Sequence, residues 1–316
     1  MPWALEIPSS VGKRQELQRS DMKHDHGDHG VHDFTRSSIT GFLRSLLAGI
    51  PWSETAEGEE ELHFDPPAGG LVRLHNANGR TTVVGEERGD IAMIVTKTAR
   101  AESSDAADQL LQQIVVVDQE IGDALELEIE SPWKWNRRGS AHVELRLPQE
   151  VSIEVTAVNG RIEVAGIHGQ VKARSSNGSA CLSDIVGNIE VATSNAKVCC
   201  SCTCGRLVAR SSNGKIEVEE HSGSIDASTS NGLIRASLDA VGKHGVSLAT
   251  SNGRIVLELP DELDADIDIR VDNGLIRNDR KLCLAKRETN GRLSGQLGSG
   301  GALIKLRTSN GSISLR

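Results

Sequence analysis

Glycine recurs every nine residues through the second half of this chain, at Gly160, Gly169, Gly178, Gly187, Gly205, Gly214, Gly223 and Gly232, with Ala196 at the one missed step. A period this strict selects a repeat architecture, because each unit is too short to bury a core alone and must stack on its neighbours. Two kinds of unit alternate, so the true repeat is eighteen residues. Within each nine the third and fifth places are apolar, as in Ile162 and Val164, Val171 and Ala173, or Ile216 and Val218, and the places between are mostly polar. Alternation with period two, over a run too short for a helix, marks a strand with one buried face. The expected fold class is all-β: a parallel β-solenoid or β-helix of about eight two-strand turns, preceded by a β-rich leading region with one short helix.

Every second unit ends in asparagine, usually followed by glycine: Asn159, Asn177, Asn195, Asn213, Asn231, Asn252, Asn273, Asn290 and Asn310. Asparagine tolerates the left-handed region and glycine adopts it at little cost, so the pair turns the chain sharply. Side chains stacked at the strand spacing of about 4.8 Å can hydrogen-bond as a ladder, which makes Asn177 to Asn310 candidate ladder residues. After Asn231 the interval loosens to 21, 21, 17 and 20 residues, and we place the extra residues in corners, at Leu257–Leu263 and Gly295–Gly301.

A chain with three Phe and no Tyr must build its interior from Ile, Val, Leu and Ala, which suits thin stacked layers. A net charge of −9 without a Lys/Arg-dense stripe argues against a nucleic-acid partner. No run reaches the roughly 18 to 20 apolar residues of a membrane span, and the N-terminus lacks a signal pattern, so the expected location is cytoplasmic, with attachment to a membrane surface open. The cysteines agree, being clustered rather than spread as a disulfide framework. Cys199, Cys200, Cys202 and Cys204 match no common zinc or iron–sulfur spacing. Cys200 falls on a buried register place and Cys199 points outward, while Cys181 and Cys283 have no evident partner.

Ahead of the repeats (159–316) we distinguish a disordered His-rich tail (1–36), an amphipathic helix (37–52), an acidic linker (53–62) and the β-rich leading region (63–158). His24, His26, His29 and His32 form a candidate ligand set for Zn, Ni or Cu, and no other cofactor is called for. Ile39, Phe42, Leu43, Leu46, Leu47 and Ile50 lie on one helical face, with Ser38 placed to cap and Pro51 to stop. With Trp52 at its end, that face can dock on a membrane surface, on the protein's own solenoid or on a protein partner, or stay free. In the leading region strands are expected at Leu71–His75, Arg80–Val84, Ile91–Ala99, Ile114–Asp118, Ala124–Glu130, Ala141–Leu147 and Val151–Thr156. A helix is expected from Ser104 to Gln113, capped by Ser104 or Asp105.

The leading unit Asn78-Gly79-Arg80, a strand–helix–strand insertion, the Leu147-Pro148 step, the serial Ser/Thr-Asn-Gly-x-Ile units and a second step at Leu259-Pro260 together resemble the bacterial "putative adhesin" β-strand-repeat family, a domain of unknown function. The resemblance covers residues 63 to 316. It implies a β-solenoid-like fold and brings no catalytic residues.

No nucleophile with a base and no phosphate loop is legible. Asp261, Glu262, Asp264, Asp266 and Asp268 cluster near one corner, where alternate carboxylates share a strand face, either as a solvated edge or as sugar-cleaving or Ca²⁺-binding groups. The expected function is a non-enzymatic binding or scaffold protein recruited by residues 37–52. The alternatives are a carbohydrate-binding or carbohydrate-active β-helix and a metal-binding protein. Because the sequence stops at Arg316, six residues after Asn310, a final uncovered turn and end-to-end self-association are also expected.

Overall fold

A computed structural model describes residues 54–131, 138–288 and 291–316. The chain enters on strand β1 (Glu54–Phe64), so the expected acidic linker is corrected: Glu57, Glu59 and Glu61 alternate on the outward side of a strand, and Glu60, on the side of Leu62, pairs with Lys97 at 2.6 Å. Strands β2 (Leu71–Asn76) and β3 (Thr81–Glu86) then form a first turn around Asn78 and Gly79. The insertion that follows comprises β4 (Ile91–Ala101), helix α1 (Ser104–Gln112), β5 (Val115–Ile121), β6 (Ala124–Glu130) and β7 (Arg138–Pro148). The helix cap is Ser103, one residue before the expected position, whose hydroxyl accepts from the Ala106 N–H at 3.2 Å.

The stacked repeats run through β8 (Ser152–Ala157), β9 (Ile162–Ala165), β10 (Val171–Ser175), β11 (Ala180–Thr193), β12 (Val198–Ser211), β13 (Ile216–Asn231) and β14 (Ile234–Glu258). From β11 onward the hydrogen-bonded strand continues around a corner, so one element spans both faces of a flattened coil. Parallel neighbours stay in register at eighteen residues, as in Val171 on Ile189 and Leu207 on Ile225. The third and fifth places of each unit point inward: Ile162, Val171, Ala173, Leu207, Ala209, Ile216 and Val218 are completely buried. Two facing rows of small aliphatic side chains fill the narrow interior, which leaves little room for aromatic rings.

The coil reaches further back than residue 159, because β8 and β9 stack directly on β2 and β3. Beyond the first turn, β6 and β7 add parallel neighbours to β2 and β3. Antiparallel strands then finish both faces, β5 on β6, and β4 with β1 on β7. The far end holds a larger departure from the expected order. Strands β15 (Ala265–Asn278), β16 (Cys283–Glu288), β17 (Arg292–Leu297) and β18 (Ala302–Leu315) do not stack in sequence: β18 lies between β14 and β15, parallel to both. The expectation that the strand after Asn310 leaves a final uncovered turn is therefore corrected, since it has a neighbour on each side. Strand β17 runs antiparallel along residues 265–270 of β15, and β16 along β17. Residues 259–264 form the corner expected there, whereas 292–297, which includes Gly295, is strand and the turn follows it. Among the described residues no helix is long and apolar enough to cross a membrane.

Candidate functional site

The Asn-Gly corner builds the most regular surface of the molecule. At each turn the asparagine Nδ2 donates to the Oδ1 of the asparagine one turn earlier: Asn159 to Asn78 (3.0 Å), Asn177 to Asn159 (2.9 Å), Asn195 to Asn177 (2.9 Å), Asn213 to Asn195 (3.1 Å) and Asn231 to Asn213 (2.9 Å). The column continues with Asn252 on Asn231 (3.0 Å), Asn310 on Asn252 (2.9 Å) and Asn273 on Asn310 (3.1 Å), following the inserted β18 rather than chain order. Asn290 lies outside the described residues. Glycine is required beside this column because the turns approach backbone to backbone: a Cβ on Gly178 would sit 1.7 Å from the Gly160 carbonyl oxygen.

Behind the amides, a buried hydroxyl from each turn donates to the glycine carbonyl of the turn before. Ser175 reaches Gly160 (3.2 Å), Thr193 reaches Gly178 (3.1 Å) and Thr229 reaches Gly214 (3.1 Å). Thr250 on Gly232 and Thr308 on Gly253 repeat the bond at 3.4 Å. Ser211 breaks the series, its Oγ buried without a partner, and the residue below it is Ala196, the alanine that interrupts the glycine period.

In front of the amides, Ser176, Ser194, Ser212, Ser230, Ser251 and Ser309 form an exposed hydroxyl row. A second outward row carries Arg174, Arg210, Arg307 and Arg270, with the small residues Ala192, Ser228 and Ala249 between them. Between the two rows run two shallow hollows of about 370 and 500 Å³ that share Ser211, making one groove along the coil. Each arginine is steered by a carboxylate: Arg174 by Glu190 (2.6 Å), Arg210 by Asp226 (2.5 Å), Arg270 by Asp272 (3.1 Å) and Arg307 by Asp268 (3.6 Å). Such exposed pairs add little stability, but they fix where the guanidinium N–H groups point. A parallel row of alternating charge sits nearer the first turn, where Arg73 bridges Glu126 (2.7 Å) and Glu154 (3.2 Å). Lys172, followed by Arg73, holds the Glu154 carboxyl below its usual range. The groove thus offers closely spaced donors and acceptors, and no nucleophile paired with a base.

The acidic corner is occupied by structural bonds. Asp264 accepts from the Ser299 N–H (2.7 Å), Asp266 from the Gln296 amide (2.9 Å) and Asp268 from Arg292 (3.0 Å). Among the described residues no group of three or more His, Cys, Asp or Glu is placed to hold a metal ion. The cysteines contain a correction: Cys181, read as having no evident partner, is disulfide-bonded to Cys199, with a Cα–Cα distance of 4.6 Å. The signal was their separation of eighteen residues, which puts them side by side on β11 and β12. Cys200 is buried, and burial pushes its thiol up to about 12. Cys202 donates to the Glu220 carboxylate (3.0 Å), which raises its thiol to about 11. It stands in a column of left-handed residues, Asp184, Cys202 and Glu220, that makes the opposite corner. His221 is a site residue that the sequence reading missed. It is fully buried at the register place of Ile185, with Nδ1 2.9 Å from the Thr203 hydroxyl and Nε2 unpartnered. Its signal was a polar residue on an inward place. The imidazoles His24, His26, His29 and His32 and the apolar set Ile39, Phe42, Leu43, Leu46, Leu47, Ile50 and Trp52 lie outside the described residues.

The family described as Toastrack DUF4097 matches residues 80–316. Solved structures similar to this chain include a putative adhesin from Bacteroides fragilis, at 11% identity over 84% of this chain and 99% of that one, with a TM-score of 0.45. A putative adhesin from Parabacteroides merdae has 9% identity over 84% and 97% (TM-score 0.32). A putative lipid binding protein from Parabacteroides distasonis has 9% identity over 82% and 96% (TM-score 0.32). No curated protein matches.

Proposed function

We infer the function from the premise that this chain belongs to the Toastrack DUF4097 family: it is a non-enzymatic binding protein that holds an elongated polar partner along the groove beside the asparagine column. The observation that carries this reading is the continuity of the groove, in which the Ser176 to Ser309 hydroxyls recur turn after turn beside the steered arginines Arg174, Arg210, Arg307 and Arg270. A partner with hydroxyl or amide groups spaced along its length would meet the same donors repeatedly, and many weak contacts would add along the coil. A linear glycan fits that description. Residues 37–52 supply recruitment in this proposal, docking the protein on a membrane surface from the cytoplasmic side or on a protein partner.

A glycan array probed with the full chain tests the groove. Selective binding to extended glycans that is lost in Ser212→Trp, with an unchanged melting temperature, is the expected result. An array on which wild type and Ser212→Trp give the same signal overturns the reading. Deleting residues 37–52 should release the protein from the membrane fraction or from its partner without altering array binding, and unchanged fractionation and partner recovery would remove the recruitment half.

A further inference from the structure

The asparagine column has a direction. Every Nδ2 points toward the first turn and every Oδ1 toward the far end, so the carboxamide dipoles align and their partial charges survive only at the two ends. At the first-turn end, Asn78 accepts from Asn159, while its own Nδ2 donates to no described residue. Beyond Asn78 no described asparagine continues the column: β2 and β6 pair through Asn76 and Ile129, and Ser131 and Ser140 line the cavity beside Asn78.

That terminal donor opens into a cavity of about 730 Å³ on the outer face of β4 and β7. The two strands overhang the corner here, placing Arg100 directly across from Arg138 and Thr98 across from Ser140. His142 also lines the cavity, and its Nδ1 accepts from the Arg80 backbone N–H at 3.0 Å. The ring proton therefore sits on Nε2, which makes that nitrogen a donor. Among the described residues of the lining, one carboxylate, Glu57, stands against this set. In a chain of net charge −9, this is a local reversal of sign concentrated where the amide column presents its positive end.

We propose that this cavity binds a phosphoryl group. Two guanidinium groups across a strand pair, hydroxyls between them, an imidazole N–H and a terminal amide approach from several directions, which suits a tetrahedral oxyanion better than a planar carboxylate. The site is separate from the serine-lined groove and does not depend on the reading given to it. The phosphoryl group is either free in solution or carried on a lipid headgroup.

Full-length protein titrated calorimetrically with inorganic phosphate, and floated with phosphatidylcholine vesicles with and without phosphatidic acid, separates the two sources. At least one phosphoryl probe is expected to bind, and the double variant R100Q/R138Q is expected to weaken it about tenfold or more. Glu57→Gln should strengthen binding by removing that carboxylate, and it keeps the test open should the double variant melt early. Ser212→Trp, which probes the groove, leaves phosphate affinity unchanged, so the two proposals fail independently. Binding of free phosphate assigns a soluble ligand, and binding of phosphatidic acid vesicles alone assigns a headgroup. No binding of either probe, or equal affinity in wild type and in both arginine and Glu57 variants, overturns the proposal.

Discussion

The buried hydroxyls show how one residue decides whether a turn is sealed. Thr229 donates to the carbonyl of Gly214, so Thr229→Val should cost about 1 kcal/mol in urea unfolding. Ser211 has no such partner, so Ser211→Ala should cost nothing measurable or stabilise slightly, although both residues hold the same register place. His221 makes a second residue-scale prediction. Desolvation is the main cause of its lowered pKa, opposed by backbone contacts with Ser224 and Thr203 and by the charge of Asp239. The unfolded chain then takes up a proton near pH 6.5 while the folded chain resists it. Stability from this group is complete above that pH and is lost as pH falls toward the depressed folded value. Melting curves from pH 7.5 down to 5 should show the loss, and His221→Leu should shrink it. An equal pH slope in the variant would assign the effect elsewhere.

Among the elements, most strands were legible because the third and fifth places of each nine-residue unit turn inward from Ile162 to Ala236. The helix was legible from its paired leucines, Leu110 and Leu111, although its cap fell one residue earlier, at Ser103. What sequence could not supply was the neighbour of each strand. An Asn-Gly corner shows that the chain returns to the column, and it is silent on which turn it lands upon, so Asn310 read naturally as the last. The Glu-rich stretch before Phe64 misled for a related reason: most of its charges sit on outward places of a strand, and one inward place is taken by Glu60, paired with Lys97, so that apolar inward residues such as Leu62 are few. Of the candidate surface, the asparagine and serine rows were legible and the arginine row was not, because it is assembled from places far apart in sequence. The disulfide belongs to this scale, joining β11 to β12 across eighteen residues. Loop closure of that length predicts a loss of about 3 kcal/mol in Cys181→Ser/Cys199→Ser, to be read by denaturant unfolding under non-reducing conditions.

For the whole molecule, antiparallel strands finish the first-turn end on both faces and the far end along residues 265–270 of β15, which blunts the tendency of parallel stacks to extend by adding another chain. Removing residues 302–316 should undo this at one end, because β15 reaches β14 only through β18. The expected outcome is rapid proteolysis within 259–301 and concentration-dependent assembly in sedimentation, with residues 71–231 still protected. The place of β18 also imposes an order on folding. Asn310 bonds Asn252 across 58 residues of chain, whereas the turns before Asn231 close over eighteen. As the chain leaves the ribosome, the early turns can stack one after another, while β15 is made before the strand it rests on and has to wait. The seam between β14 and β15 is thus the last to close, and a chain stalled before residue 302 carries an open edge that a chaperone, or a second stalled chain, can occupy.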